Sequence, residues 1–140
     1  PEALAERRQG LLRLVEEAGR RDCQIVLLPE FADHHATREA NAAQQAGHGA
    51  YRRVAGMSRR SPWLRSIARL ARKYRMVVIP DVMLTQGDRT SNTAIVFGPE
   101  GQVLGQYSKT HLAPGENAVC SPGEAIETIA TPFGKVGLLI

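Results

Sequence analysis

Glu30 stands directly after an apolar run, Ile25-Val26-Leu27-Leu28, with Pro29 before it and Phe31 after it. A carboxylate held at the end of a buried strand is partly desolvated, which raises its pKa toward the range useful to a general base. Lys109 has a comparable place, just after a strand that ends at Tyr107, within Tyr107-Ser108-Lys109-Thr110-His111-Leu112. There its ammonium could face a developing oxyanion or hold a thiolate ionised. Taken singly, a glutamate at a strand end is more often an ordinary loop residue, and an isolated lysine is normally solvated surface. A third apolar run, 135–140, reads as a buried strand that stops at the last residue. Three strand ends converging on one rim would assemble a site.

Other reactive side chains give weaker patterns. Cys23 lies at the end of its strand opposite Glu30, and Cys120 sits in a loop bounded by Pro and Gly, so both read as incidental thiols. His34, His35, His48 and His111 have no pair at helical i, i+4 spacing and no cysteine or carboxylate to complete a metal set. His111 reads instead as a hydrogen-bonding residue of the loop that carries Lys109. The three glycines from Gly98 to Gly105 punctuate a hairpin and open no helix, so they make no dinucleotide fingerprint.

The elements that must position these residues follow from periodicity. Leu4, Leu11, Val15 and Ala18, with Leu12 and Leu14, recur at helical spacing against Glu6, Arg7, Arg13, Glu16 and Glu17, and Gly19 is a candidate stop. The run 25–28 predicts a strand buried on both faces, ended by Pro29. Residues 31–60 show no sustained period and predict a long loop with one short helix. Ser61-Pro62 supplies an N-cap and a first-turn proline for a second amphipathic helix, with Trp63, Leu64, Ile67, Ala68, Ala71 and Tyr74 on one face and Arg65, Arg69, Arg72 and Lys73 opposite. Strands are expected at 76–79, at 93–97 after the polar turn 86–89, and at 102–107, the last two joined through Pro99-Glu100-Gly101. A second hairpin is expected from 125–130 and 135–140. This order suits helices layered on a mixed sheet, in one domain.

The bulk numbers agree with a soluble globular protein: 140 residues, 43% hydrophobic and 23% charged. The net charge of +4 arises largely from arginines spread over two helices and the pairs Arg52-Arg53 and Arg59-Arg60, which reads as solvated surface and not as a nucleic-acid or membrane footprint. No apolar run approaches the roughly 18 residues needed to span a bilayer, and two unpaired cysteines fit a reducing, cytoplasmic setting. The first residue is Pro1, the helical pattern begins by Leu4, and the last strand ends without turn or polar tail, so the protein is expected to continue at both ends.

Three segments carry a resemblance. IVLLPEF at 25–31, GQYSKTHL at 105–112 and TPFGKVGLLI at 131–140 resemble, in the same order, the signature segments of the nitrilase superfamily of carbon-nitrogen hydrolases, and SNTAIVFGPEGQVLG at 91–105 resembles the segment preceding its lysine. The resemblance covers nearly the whole chain. It implies an αββα sandwich that pairs into an αββααββα dimer, so a homodimer or higher homo-oligomer is expected, with no metal and no cofactor. It also implies a Glu-Lys-Cys triad acting on non-peptide carbon-nitrogen bonds of a small amide, carbamoyl compound or nitrile. On this chain Glu30 is the general base, Lys109 the oxyanion stabiliser and Glu116 a second glutamate that positions substrate and triad. The cysteine is expected immediately after Ile140, so residues 1–140 alone should be inactive.

Two departures bear on specificity. Asp81, in Ile79-Pro80-Asp81, stands where many members have Gly or Ser and then Glu, and the stretch from His34 to Arg60 is longer and more basic than in compact members. They leave amidase, nitrilase and carbamoylase open. The rival reading is a noncatalytic, degenerate member kept for binding.

Overall fold

The computed structural model describes residues 2–140. Helix α1 (Leu4–Arg20) and helix α4 (Pro62–Tyr74) lie side by side on one face of a mixed sheet. Between them in sequence come β1 (Ile25–Leu27), the short helices α2 (Arg38–Gln45) and α3 (His48–Ala55), and β2 (Gly56–Met57). After α4 follow β3 (Val77–Ile79), β4 (Asp81–Gln86), β5 (Arg89–Phe97), β6 (Val103–Ser108), a single 3-10 turn (Glu116–Ala118), β7 (Thr128–Thr131) and β8 (Gly134–Gly137).

β3 and β4 act as one strand bent at Pro80, since both lie antiparallel to the long β5 and the Ile95 amide donates to the Pro80 carbonyl. Their outer edge takes β1 and β2 in parallel, while the other edge of β5 takes β6. One face packs Val78, Val82, Leu84, Ile95 and Phe97 against Val15, Trp63, Leu64, Ile67 and Ala71 of the two helices. The opposite face packs Val77, Ile79, Ala94 and Val96 against Ile129 of the β7–β8 hairpin, with Val136, Leu138 and Ile140 alongside. The chain therefore builds a helix layer, a sheet, and a two-stranded ribbon on the sheet's far side.

α4 begins as the sequence predicts: the Leu64 amide donates to Ser61 Oγ and Pro62 occupies the first turn. It ends on Arg75 in the left-handed region, φ 52. Gly19, by contrast, stops nothing. α1 runs on to Arg20, and Gly19 is where α1 and α4 approach, because a Cβ there would lie 2.4 Å from the Tyr74 ring.

Four expectations need correction. Residues 31–60 form a turn, two eight-residue helices and β2, not one long loop. Those helices bury only alanines, Ala40, Ala43 and Ala55, so they carry almost no apolar period to read. β4 was hidden because Pro80 and Asp81 interrupt the apolar pattern. β1 is an outer strand and not buried on both faces: Leu27 is 66% exposed and Ile25 is exposed as well. Finally, the strand pair at the C-terminal end is β7–β8 at 128–131 and 134–137; Leu139 is 78% exposed, since only alternate residues of 136–140 meet the sheet.

Candidate active site

Glu30 leaves β1 at its C-terminal end, and Lys109 leaves β6 at the same rim of the sheet. The Leu28 amide donates to the Ile79 carbonyl and the Lys109 amide to the Asn92 carbonyl, so the ladder continues to both departure points. The strands in between, β4 and β5, carry Asp81 and Asn92 on the face that Glu30 and Lys109 share. Two residues far apart in sequence thereby reach one point.

There Lys109 Nζ lies 2.9 Å from Glu30 Oε1 and 3.1 Å from Glu116 Oε1. Glu116 opens the 3-10 turn after Gly115, whose φ of 90 suits glycine. Its other oxygen accepts the Ala113 amide at 2.6 Å, which fixes the carboxylate beside the lysine. Asn92 Nδ2 donates to Glu30 Oε1 at 2.6 Å, and Asn92 is fully buried. The structure thus brings Glu30, Lys109 and Glu116 together in one ion cluster.

The electrostatics distinguish the members. Burial alone would push the Lys109 ammonium's pKa down, but hydrogen bonds to Glu30 and Glu116, and their charges, outweigh it and hold the pKa above its ordinary value. Lys109 therefore stays an ammonium, suited to stabilise negative charge and unsuited to accept a proton. Glu30 is more open than its strand-end position predicts, its side chain 44% accessible against 10% for Lys109. The carboxylate leaves an outer strand, so desolvation at Glu30 is partial. Asp81 is the strongly desolvated acid. Burial and the nearby Glu30 and Asp33 charges raise its pKa to about 7, against the Phe31 amide and Lys109, which lower it.

A cleft of about 360 Å³ opens beside Glu116, walled by Phe31, His48, Tyr51, Val119 and Cys120. Tyr51, on α3, is anchored from behind by a buried chain. Arg8 donates to Asp33 Oδ2 at 2.7 Å, Asp33 Oδ1 meets His34 Nδ1 at 2.7 Å, and His34 Nε2 meets the Tyr51 hydroxyl at 3.2 Å. Asp33 and His34 are fully buried, which such polar groups tolerate only when paired. A smaller hollow of about 250 Å³ around Arg89, Ser108 and Glu124 contains none of the cluster residues.

Cys120 reaches the cleft wall but is poorly placed to attack. Burial, then the Glu116 charge, push its thiol up to about 11. Cys23 is exposed and lies before β1, at the end of the strand away from Glu30. His111 Nδ1 meets Thr110 Oγ1 at 3.0 Å, and Thr110 is bonded in turn to the Tyr107 hydroxyl, so His111 does tie into the loop that carries Lys109. Sequence reasoning missed Asn92, Tyr51 and the Asp33–His34 pair as parts of the site. Only Asn92 left a readable signal, a polar residue inside what proved to be a longer strand.

Comparison with known proteins places this rim. The sequence model of the carbon-nitrogen hydrolase family matches residues 1–140. The chain belongs to that family. Among carbon-nitrogen hydrolase relatives, a nitrilase of Pyrococcus abyssi is 30% identical over 134 residues, covering 91% of this chain and 46% of that protein. Omega-amidase NIT2 of Bos taurus is 29% identical over 136 residues, covering 89% of the chain and 45% of that protein. The fold matches the carbon-nitrogen hydrolase from Helicobacter pylori G27 with a TM-score of 0.74 at 21% identity, over 99% of this chain and 47% of that one. It matches Saccharomyces cerevisiae Nit3, a member of branch 10 of the nitrilase superfamily, at 0.71 and 22% identity, over 98% and 49%. The chain spans about half the length of the relatives it matches.

Proposed function

We propose that the protein hydrolyses non-peptide carbon-nitrogen bonds of small amides, carbamoyl compounds or nitriles, with Glu30, Lys109 and a cysteine directly after Ile140 as its triad. The observation that carries this reading is the lysine ammonium held between two carboxylates at one rim of the sheet. In support, an amidase from Nesterenkonia sp. AN1, alike in fold at a TM-score of 0.73 and 16% identity over 99% of this chain and 52% of that one, has an active-site cysteine that adds acrylamide.

The chemistry follows from the geometry. Glu30, partly open and hydrogen-bonded on one oxygen only, takes the proton of the incoming thiol as the sulfur attacks the carbonyl carbon. Negative charge grows on the substrate oxygen, and the Lys109 ammonium, kept charged by Glu116, stabilises it. Glu30 returns the proton to the departing nitrogen, the carbon-nitrogen bond breaks, and a thioester remains. Water, deprotonated by Glu30, then releases the acid and restores the thiol. For a nitrile, the same attack places charge on nitrogen instead of oxygen. No cofactor is required. The same reading gives a single catalytic domain, a cytoplasmic homodimer or higher homo-oligomer, and no turnover from residues 1–140 alone.

The test uses the full-length protein. Lys109→Ala should lower kcat by about 10²–10³ or more on whichever small amide, carbamoyl compound or nitrile the wild type turns over, with an unchanged far-ultraviolet circular dichroism spectrum. Undiminished turnover by the variant would sink the assignment. A residue other than cysteine after Ile140 would instead favour a noncatalytic binding member of the family.

A further inference from the structure

Two buried acceptor atoms at the rim have no hydrogen-bond partner among the described residues: Asp81 Oδ2 and Asn92 Oδ1. Both side chains are at least nine-tenths buried, where an unpaired polar atom costs about 1–3 kcal/mol. Asp81 pairs with Ala94 and Asn92 with Met83 across β4 and β5, so the two are diagonal neighbours on one face of the sheet. Side chains at that spacing can meet. Two oxygens that only accept cannot bond one another, but a single proton between them satisfies both.

Each of these residues already holds Glu30 from its own side. Asp81 Oδ1 accepts the Phe31 amide at 2.9 Å, and Phe31, next to Glu30, stands at φ 50, a conformation a bulky residue keeps only when its surroundings fix it. Asn92 Nδ2 donates to Glu30 Oε1. The orientation of that amide is decisive. With Nδ2 toward Glu30 it supports the carboxylate, whereas turned over it would present Oδ1, acceptor against acceptor.

We propose that Asp81 is a positioning residue for Glu30: in its protonated form Oδ2–H donates to Asn92 Oδ1, locks the Asn92 amide with Nδ2 toward Glu30, and leaves Oδ1 to hold the Phe31 backbone. The inference rests on the proposed hydrolase reading for its effect on turnover. Loss of the Asp81 proton removes the donor and makes Oδ2 compete for Asn92 Nδ2, which frees Glu30 from one side and adds a like charge beside it. The charged and titratable groups around Asp81 are Glu30 and Asp33 from the segment after β1, Lys109 from the end of β6, and Cys120 beyond Glu116. Burial and the two carboxylates favour the neutral acid over the lone opposing ammonium.

Asp81→Asn keeps an acceptor for Phe31 and carries a permanent donor toward Asn92, so it imitates the protonated acid. Asp81→Ala keeps neither. In the full-length protein, kcat/KM on a neutral amide should fall for the wild type as pH rises through neutrality, while Asp81→Asn holds its value across that range and Asp81→Ala loses roughly tenfold or more throughout. A second measurement does not depend on turnover or on the alanine variant folding. The infrared difference between wild type and Asp81→Asn at pH 6 should contain the carbonyl stretch of a protonated carboxylic acid. Superimposable pH profiles for wild type and Asp81→Asn, equal damage from Asn and Ala, or no protonated-acid band would each overturn the proposal. Failure of the wild type to turn over any amide would overturn the hydrolase reading instead, and the infrared band then decides the state of Asp81 alone.

Discussion

At the scale of single residues, the site is a problem of holding one ammonium between carboxylates without neutralising it. Glu116 does this with both oxygens, one on Lys109 Nζ and one on the Ala113 amide. Glu116→Gln in the full-length protein keeps the shape and removes the charge. It should lose about 1.5–3 kcal/mol of transition-state stabilisation, roughly ten- to hundredfold in kcat, as measured by steady-state kinetics. Thiol chemistry makes an independent check. Cys120 is buried with its pKa raised to about 11 and Cys23 is exposed, so iodoacetamide at pH 8 should label Cys23 and spare Cys120 in the folded protein, read by peptide mass spectrometry. Of these residues, Glu30 and Lys109 were legible because each closes an apolar run, whereas Glu116 was legible only through the family resemblance. Asp81 stood out as a departure without a role, and Asn92, Asp33 and Tyr51 acquire theirs only when distant segments meet.

Elements set where those residues stand. The periodic ones, α1, α4, β3 and the β5–β6 hairpin, could be read directly, since each buries a broad apolar face or continuous run. α2 and α3 could not, because alanines do their packing, and β4 could not, because Pro80 breaks its pattern and Asp81 gives it a charge. Close approaches are equally hidden from sequence. Gly123 donates its amide to the Lys109 carbonyl, and a Cβ there would fall 2.1 Å from the Ser108 carbonyl oxygen. Gly123→Ala must therefore displace the segment that backs Lys109, and activity should fall more steeply than stability. Gly19→Ala separates the two effects: overpacking against Tyr74 costs about 1–3 kcal/mol, against a helix-propensity gain of about 1 kcal/mol. The melting temperature should drop while kcat stays put, since Gly19 lies on the helix layer away from the rim.

For the molecule as a whole, the buried acid has a cost in stability that depends on pH. The pKa of Asp81 is about 7 in the fold and 3.8 for an ordinary aspartate, so between those values the native state holds a proton the unfolded chain releases. The contribution is fully present below about pH 4 and is lost as pH rises through about 7. Its full size is on the order of 4 kcal/mol. Asp81→Asn should accordingly be more stable than wild type at pH 8, by denaturant titration, with the difference shrinking toward pH 4. The sheet keeps this acid where β4 meets the rim, between the strand that delivers Glu30 and the strand that delivers Lys109. The central claim is that these two residues serve a cysteine following Ile140. The most direct measurement is peptide mass spectrometry of full-length protein quenched with acid during turnover of a small amide. The account predicts the substrate's acyl group on that cysteine, and the absence of adduct there during active turnover, or its appearance on Cys23 or Cys120, would contradict it.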